Sequence, residues 1–162
     1  MSNSSLASSI FVDADNASAF ASNLLARQGV SADDAEAVAK CLVEADLRGV
    51  QTHGMSRLPI YVKRVEQGLV NPKPKMRLNK PLAACASLDG DNGFGFLVGI
   101  RAMREAIMIA ESCGVGVVSA HNSNHFGMAA TYLLRAVEAG YFAFVFTNAA
   151  KSMPPWGGRE GL

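Results

Sequence analysis

The sequence predicts an α/β protein, with a helical N-terminal region followed by a mixed sheet that contains βαβ elements. Three observations point to this class. Apolar residues recur at helical spacing through most of residues 15–70, two prolines interrupt the chain within residues 71–74, and short apolar runs then alternate with helical stretches. We accordingly expect a mobile tail over residues 1–14, a helical region over residues 15–70 and an α/β region over residues 71–162.

Three helices are predicted in the N-terminal region, over residues 15–28, from residue 31 to about residue 46, and from about residue 56 to residue 67. Ser31 is a suitable N-cap for the second helix. Gly29 and Gly68 follow the first and third helices, where a residue in the left-handed conformation commonly ends a helix. Pro59 is tolerated only in a first turn, so the third helix begins no earlier than Ser56.

The second half of the chain is predicted to alternate strands and helices. Strands are expected over residues 75–79, 83–88, 115–119 and 141–147, and helices over residues 96–112 and 128–139. Lys80-Pro81 separates the first two strands, and residues 89–95 are predicted to form a turn. The last two strands and the helix between them make a βαβ unit, in which loops at the carboxyl ends of the strands usually carry the site.

Composition restricts the function classes. With 162 residues, 49% of them apolar, the chain can bury a sizeable core. A net charge of +1 without a run of Lys or Arg does not favour nucleic acid as a partner. Cys41, Cys85 and Cys113 are far apart among apolar neighbours, so we expect buried thiols of a cytoplasmic protein. We expect no membrane span and no signal peptide, since no apolar stretch is long enough and the N-terminus is rich in Ser.

The polar segment over residues 46–57 contains the first candidate site residues. Thr52 supplies a hydroxyl, His53 an imidazole and Arg57 a guanidinium, at the junction of two predicted helices. A helix that began near His53 would place Arg57 one turn along the same face, and a later start would leave only a loose juxtaposition. Arg can hold a carboxylate through two hydrogen bonds while a nearby His exchanges a proton. The segment therefore suits a small anionic substrate, although a solvated helix face has the same composition.

A second polar cluster lies in residues 120–127. It contains His121 and His125, and Asn148 follows the next predicted strand, so we expect His125 and Asn148 to be near neighbours at one sheet edge. The two histidines could instead bind a metal ion, with His53 as a third ligand. Against a metal site, the cluster has the composition of a loop and contains no acidic residue.

Two further patterns are weaker. Thr52 and His53 could form half of a nucleophile–base pair, but adjacent side chains rarely point at each other and no glycine-rich elbow surrounds the threonine. Residues 93–95 could cradle a phosphate at a helix N-terminus. The Gly-x-Gly-x-x-Gly spacing is absent, however, because Val98 stands at its last position, and a plain turn fits better.

Several motifs together resemble the malate/L-lactate dehydrogenase family of non-Rossmann 2-oxoacid reductases. In chain order they are Asp46-Leu47-Arg48-Gly49, Thr52-His53-Gly54 with Arg57, Asn71-Pro72, residues 88–93, residues 122–127, Thr147-Asn148 and residues 155–159. The resemblance extends from about residue 15 to residue 162. It is specific for the family and unspecific for the substrate.

The resemblance implies hydride transfer between NAD or NADP and a small 2-oxo or 2-hydroxy acid. It assigns proton donation to His53, with Thr52 in its relay, and makes Arg57 the residue that holds the substrate carboxylate. In some members the histidine matched by His125 is the acid/base, so both histidines are catalytic candidates. Arg48 is a supporting residue for the substrate. The cofactor-binding candidates are His125, Phe126, Gly127, Met128, Ala129 and Asn148.

Members of this family continue well beyond residue 159, through further cofactor-binding segments. We therefore expect the 162-residue chain to be an N-terminal portion, with an incomplete α/β region, weak cofactor binding and no turnover alone. The irregular residues 151–162 also suggest a fragment or a covering partner, and we expect a homodimer. Two alternatives stay open: a non-catalytic partner-binding or dimerising module, and a His-ligated metallohydrolase.

Overall fold

The computed structural model describes residues 11–148 of the chain. The α-helices are α1 (Ala14–Arg27), α2 (Ala32–Leu47), α3 (Leu58–Glu66), α4 (Gly95–Cys113) and α5 (Ala130–Glu138), and the strands are β1 (Arg77–Leu82), β2 (Cys85–Gly93) and β3 (Val117–Ser123). Two short 3₁₀ helices, Gln51–His53 and Met55–Arg57, join α2 to α3. A helical region thus precedes a mixed sheet, as predicted. Residues 1–10 and 149–162 lie outside the described residues, so the expectations for the N-terminal tail and for residues 151–162 fall wholly or largely there.

Local sequence signals set the ends of the N-terminal helices. The Ser31 hydroxyl accepts a hydrogen bond from the backbone N–H of Asp34 at 3.2 Å, which confirms it as the N-cap of α2. Asp13 caps α1 in the same way, so this helix begins one residue inside the predicted tail. The α3 helix begins at Leu58 with Pro59 in its first turn, within the predicted limit.

The sheet has the order β1-β2-β3. The β1 strand runs antiparallel to β2, and β3 runs parallel to β2. The α4 helix makes the crossover between the two parallel strands and covers one face of the sheet. Alternate residues of β2, Ala86, Leu88 and Gly90, are buried beneath it. The βαβ unit that the described residues contain is therefore β2–α4–β3.

The predicted strand limits were wrong at two places where turn residues occur inside strands. The β2 strand continues through residues 89–93, predicted as a turn, and β3 continues through residues 120–123, predicted as a loop. Asp91 and Asn92 adopt φ values of +48° and +55°. These residues bend β2 and shift its register, but pairing resumes where Gly93 meets Ser123.

The first hairpin also turns later than predicted. Lys80-Pro81 lies within β1, and the chain reverses at residues 83–84 instead. Pro81 is exposed on the outer strand, where the pairing with β2 is irregular between Asn79 and Leu82. A proline without an N–H is tolerated at such a position because no ladder hydrogen bond is lost.

The predicted strand over residues 141–147 pairs with no other strand in the part of the chain that the structure describes, so the βαβ unit expected there is not formed. The segment nevertheless alternates like a strand. Tyr141, Ala143 and Val145 pack against a small cluster of Met103, Tyr132 and Ala136. On the other side, the alternate phenylalanines are exposed: Phe142 by 84%, Phe144 by 70% and Phe146 by 88%. The alternation of residues between the two sides was visible in the sequence, but a strand also needs a neighbouring strand to pair with.

The main core lies among the three N-terminal helices and the start of α4. Its most deeply buried side chains include Leu25, Val38, Leu42, Val70, Phe94 and Phe96. Together these side chains fix the end of α2 and the start of α3, between which the first candidate site segment runs.

No helix within residues 11–148 is both long and apolar enough to cross a bilayer. The three cysteines are free, and only Cys41 is buried. Cys85 is half-buried and Cys113 is exposed, so the expectation of three buried thiols is confirmed only for Cys41. Cys113 is the last residue of α4, where side chains are less covered than along the helix.

Candidate active site

The two histidines singled out in the sequence lie side by side. The ring centroids of His53 and His125 are 5.4 Å apart and the ring planes are inclined by 23°. His53 ends the first 3₁₀ helix, and His125 follows β3 by two residues. The two imidazoles therefore lie close enough to act on one small molecule. Their roles in catalysis stay predictions.

The segment that carries His53 is fixed by a carboxylate from α2. Asp46 Oδ2 accepts a hydrogen bond of 2.8 Å from the backbone N–H of Met55. Gly54 lies so close that a Cβ atom there would be 1.9 Å from Asp46 Oδ1. The sequence therefore requires glycine between the two 3₁₀ turns. This break means that His53 and Arg57 do not share one helix face, and the condition for their alignment along a helix is not met.

Arg57 and Thr52 surround His53 through local contacts. Arg57 Nε donates to the backbone carbonyl of Thr52 at 2.7 Å, and the Thr52 hydroxyl lies 2.9 Å from Nδ1 of His53. The terminal nitrogens of Arg57 make no hydrogen bond to any other described residue, so their N–H groups are available to an anion. Sequence analysis thus grouped these three residues correctly, although a tight turn rather than a helix brings them together.

Tyr61 connects the helical region to His125. Its hydroxyl lies 2.7 Å from Nδ1 of His125, and its ring is also stacked on that imidazole, with centroids 6.1 Å apart. The phenol ring is buried and packs edge-on against Phe94 and Phe96. Burial raises the pKa of Tyr61 to about 12, despite the opposing charges of two nearby arginines. At neutral pH the phenol therefore keeps its hydrogen.

The loop before His125 is held by Asn124. Its side-chain amide nitrogen donates to three oxygens at 3.0 Å, the backbone carbonyls of Asn92 and Gly93 and Oδ1 of Asn92. Its side-chain oxygen accepts a hydrogen bond of 2.9 Å from the Arg64 guanidinium on α3. Asn124 thereby ties the loop both to the end of β2 and to α3.

A glycine allows this loop to pass close to α4. A Cβ atom at Gly95, the first residue of α4, would lie 2.1 Å from the carbonyl oxygen of Asn124 and 2.5 Å from that of His125. Backbone cannot move away as a flexible side chain can, so only glycine is compatible with the observed approach. The position of His125 thus depends on a residue that sequence analysis assigned to a plain turn.

Burial and nearby positive charge lower the pKa of both imidazoles below their usual value. For His53 the main cause is burial, followed by the Arg57 guanidinium. For His125, whose ring keeps an exposed edge, the main cause is again loss of hydration, followed by the charges of His53, Arg57 and Arg64. Both rings are therefore neutral at neutral pH, within an electropositive surface that favours an anion.

Arg48 is joined by its described hydrogen bond to α2 and not to the imidazole pair. It caps the C-terminus of α2, and its Nε donates to Glu44 Oε1 at 3.1 Å. The other oxygen of Glu44 accepts a hydrogen bond of 2.9 Å from the Thr131 hydroxyl on α5. The described contacts of Arg48 thus orient it toward α5 and do not bring it to the imidazole pair.

A family model described as malate/L-lactate dehydrogenase matches residues 12–162. The chain belongs to this family. It is 43% identical over 153 residues to malate dehydrogenase of Pyrococcus horikoshii, a match that covers 94% of this chain and 42% of the relative. It is 40% identical over 140 residues to L-sulfolactate dehydrogenase of Methanocaldococcus jannaschii, which covers 86% of this chain and 41% of the relative.

The solved structure of malate dehydrogenase from Pyrococcus horikoshii OT3 has the same fold over the shared part. Its TM-score is 0.79 at 45% identity, and the match covers 81% of this chain and 38% of that chain. The chain therefore spans about two fifths of the length of these members of the malate/L-lactate dehydrogenase family. Each of these relatives carries the name of a dehydrogenase, so the family to which the chain belongs is one of oxidoreductases.

The segment predicted to contact the dehydrogenase cofactor presents little side chain to the surface. Phe126 is stacked on Tyr132, with centroids 5.2 Å apart, while Gly127 and Met128 are buried. Ala129 is half-buried, and only His125 has a largely exposed side chain. Asn148 is exposed at the end of the extended segment, and no hydrogen bond among the described residues joins it to His125, so their expected proximity stays a prediction. Any contact from Gly127 and Met128 to a cofactor would therefore come mainly from their backbone, while the ring of Phe126 is half-buried.

The other notable features of the described residues lie apart from the imidazole pair. An open, largely apolar groove of about 510 Å³ lies between α1 and α3, but neither histidine lines it. No group of three or more His, Cys, Asp and Glu side chains within residues 11–148 is arranged to hold a metal ion. His121 lies on β3 opposite Asp89, apart from the His53–His125 stack.

Tyr61 and Arg64 were not among the site residues expected from the sequence. A usable signal was present, because Arg57, Tyr61 and Arg64 are spaced by four and three residues and lie on one side of the helix start. Asn124 was seen only as part of a polar loop. Its three acceptors lie more than thirty residues earlier in the chain, so local spacing gave no indication of them.

Proposed function

We propose that this chain belongs to an NAD- or NADP-dependent dehydrogenase that interconverts a small 2-hydroxy acid and the corresponding 2-oxo acid. It provides the groups that bind the substrate carboxylate and transfer the proton. The observation that carries the proposal is the stacked pair of His53 and His125, with the Arg57 guanidinium beside it, whose terminal nitrogens bond to no other described residue. Membership of a family of dehydrogenases supports the same reaction class.

The proposed chemistry divides between the carboxylate and the neighbouring oxygen of the substrate. Arg57 binds the carboxylate through its terminal N–H groups, which fixes the orientation of the adjacent carbon. In the direction of reduction, the carbonyl carbon gains a hydride and the carbonyl oxygen gains a proton, which the imidazole pair delivers. Thr52 supports His53 through its hydroxyl, and Arg48 is a further substrate-binding candidate. When bound, the nicotinamide cofactor would supply the hydride.

The residues present fit a flat cofactor ring placed against the exposed edge of the imidazole pair. His125 is exposed, while the backbone behind it is held by the burial of Gly127 and Met128 and by Asn124. A fixed backbone with one exposed aromatic side chain is suitable for positioning a planar group. His125, Ala129 and the backbone of residues 126–128 are the proposed contacts, and Asn148 is a further candidate. Either NAD or NADP is compatible with these residues.

We propose that the substrate is a dicarboxylate or a similar dianion. The relatives with the names malate dehydrogenase and sulfolactate dehydrogenase act on 2-hydroxy acids with a second acidic group. The electropositive surroundings of the imidazole pair favour two negative charges over one, because Arg57 and Arg64 both act on His125. Oxaloacetate and sulfopyruvate are accordingly the substrates to test first, with pyruvate as the monoanionic comparison.

Anion binding can be measured on the 162-residue chain itself. Oxalate and oxamate, which mimic a 2-oxo acid, should shift the ring resonances of His53 and His125 in a nuclear magnetic resonance titration. Arg57→Ala should weaken this binding at least tenfold, since a charge-assisted contact is removed. Arg77→Ala, a change on the exposed part of β1, is the matched control and should leave the affinity unchanged. Shifts of equal size in Arg57→Ala would contradict the proposed carboxylate site.

Turnover requires a protein of the length of the relatives. A chimera that joins residues 12–148 of this chain to the remainder of the Pyrococcus horikoshii enzyme should oxidise NADH or NADPH with oxaloacetate. In it, His53→Ala should lower kcat, and Arg57→Ala should chiefly raise KM and cost roughly 2 to 4 kcal/mol in kcat/KM if the contact is desolvated. A folded chimera that binds cofactor but has no turnover would overturn the proposal.

We also propose a homodimer in the cytoplasm. The exposed faces of Phe142, Phe144 and Phe146 support association, because a contiguous apolar surface of this kind is seldom left in water. Analytical ultracentrifugation at several concentrations tests the assembly. A chain that stays monomeric at about 100 µM would contradict the proposal, because a stable dimer forms well below this concentration.

A further inference from the structure

Tyr61 contacts His125 from a buried position in the core. The phenol is 4% exposed, and its ring packs edge-on against Phe94 at 6.3 Å and Phe96 at 5.3 Å between centroids. Its hydroxyl lies 2.7 Å from His125 Nδ1, across 64 residues of sequence. Because the ring is confined by packing, the hydroxyl oxygen has little freedom to leave that nitrogen.

The direction of this hydrogen bond follows from the single hydrogen of the phenol. Among the described residues, His125 Nδ1 is the acceptor within reach of the Tyr61 hydroxyl. If the hydroxyl accepted a hydrogen from Nδ1 instead, its own hydrogen would be buried without a partner, at a cost of about 1 to 3 kcal/mol. Tyr61 therefore donates and Nδ1 accepts.

A neutral imidazole carries one hydrogen, so an accepting Nδ1 places that hydrogen on Nε2 of His125. Such a ring can donate a hydrogen bond from Nε2 but cannot take a proton there. Protonation at Nδ1 would break the hydrogen bond from Tyr61. Burial and the charges of His53, Arg57 and Arg64 also lower the pKa of His125. The ring is thus kept neutral and in one tautomer.

His53 is held differently. Its Nδ1 lies 2.9 Å from the exposed hydroxyl of Thr52, which can rotate and either donate or accept. The ring can therefore gain or lose a proton without leaving a buried group unpaired. This contrast separates the two imidazoles, which sequence resemblance left as equal candidates for the acid/base.

We propose that Tyr61 is a positioning residue that fixes His125 as the Nε2–H tautomer, so that His125 donates a hydrogen bond to the substrate oxygen while His53 exchanges the proton. In reduction, the proton that reaches the carbonyl oxygen leaves His53, and in oxidation it returns to His53 from the hydroxyl group. The assignment rests on the proposed function, whereas the tautomer of His125 does not.

The tautomer can be read directly by two-bond ¹⁵N–¹H correlation spectra of the ¹⁵N-labelled 162-residue chain at pH 7.5. The chain has three histidines, so His→Gln variants assign the ring signals. We expect His125 to carry hydrogen on Nε2 alone. Tyr61→Phe should change the ratio of the two tautomers by about fivefold, as expected for the loss of one hydrogen bond. Tyr141→Phe, a change on the extended segment outside the pair, is the matched control and should leave the His125 signals as they are.

A hydrogen on Nδ1 of His125 in the unmodified chain would overturn the proposal, and this measurement stands even if Tyr61→Phe fails to fold. An unchanged tautomer ratio in folded Tyr61→Phe would also overturn it.

Oxamate provides the second readout. On its binding, His53 should change its protonation while His125 keeps the Nε2–H form, and a change at His125 instead would overturn the division of roles. Failure of oxamate to bind would count against the proposed function alone, because the tautomer of the free chain is measured without it.

Discussion

The two imidazoles at the centre of the site are supported by different kinds of contact. His125 is held by residues far away in sequence, through the buried phenol of Tyr61 and through Asn124, which is bonded to the end of β2. His53 is held mainly by the exposed hydroxyl of its sequence neighbour Thr52, within a 3₁₀ turn. One ring therefore depends on the tertiary fold, and the other on a local turn.

Because their supports differ, two identical side chains can take different roles. Groups that position a substrate need fixed geometry, whereas a group that exchanges protons needs a partner that tolerates both of its states. Substitutions on the His125 side test whether that ring depends on long-range packing as its contacts indicate.

Gly95→Ala should be the most damaging change on the His125 side. The new Cβ would lie 2.1 Å from the carbonyl oxygen of Asn124, so the loop must move. We expect a loss of about 3 kcal/mol in the free energy of unfolding, as for overpacking against atoms that cannot yield. Urea denaturation measures it, and the ring signals of His125 should move while those of His53 move less.

Gly114→Ala is the matched control for Gly95→Ala. Gly114 has φ of +75° with open space around the missing Cβ, so alanine there costs only the left-handed conformation, about 1 kcal/mol. An equal loss at the two positions would mean that the close approach of the loop to α4 is not what holds His125.

Asn124→Ala should cost less than the glycine change but should act on the same ring. It removes the amide that bridges Asn92 and Gly93 and leaves their carbonyl oxygens without this donor, for which we expect about 2 kcal/mol. Asn79→Ala, at an exposed position of β1, is the control and should be nearly neutral. If Asn124→Ala lowered stability without shifting the His125 resonances, the loop would not be what positions the ring.

The fold was predictable where a local signal sets an element end. Ser31 as an N-cap and Pro59 in a first turn gave helix limits that agree with the structure, because each acts within a few residues of itself. The strands were less predictable. The Asp91-Asn92 pair has the composition of a turn, yet it only bends β2, because pairing with β3 continues beyond it. Residues 141–147 alternate correctly but pair with no described strand.

The site was predictable as far as its local half. Thr52, His53 and Arg57 are contiguous enough for their spacing to bring them together, and motif resemblance added His125. Tyr61 was not expected in the site: its ring packs in the core while its hydroxyl reaches His125. A side chain with an apolar body and a polar tip can serve as a core residue, as a site residue or as both. The sequence alone does not distinguish these roles, because they depend on tertiary contacts.

The smallest expected effect is a pH dependence of stability that both imidazoles share. The folded state lowers the pKa of His53 and His125, in each case mainly by burial, whereas in the unfolded chain both return to their usual value near 6.5. Between the folded-state and unfolded-state pKa values, the unfolded chain binds more protons than the folded chain. The free energy of unfolding is therefore at its full value above about pH 6.5 and falls as the pH drops below it. Urea unfolding at pH 7.5 and 5.5 should show a lower free energy at pH 5.5.

The two rings should differ in what they contribute to that slope. His125 also experiences the charge of His53, so His53→Gln should remove its own share and weaken part of the effect at His125. The double variant His53→Gln/His125→Gln should show the smallest difference between pH 7.5 and 5.5. If the double variant kept the full difference, the imidazole pair would not be its source, and the contrast between a fixed and an adaptable ring would need to be sought in the bound state alone.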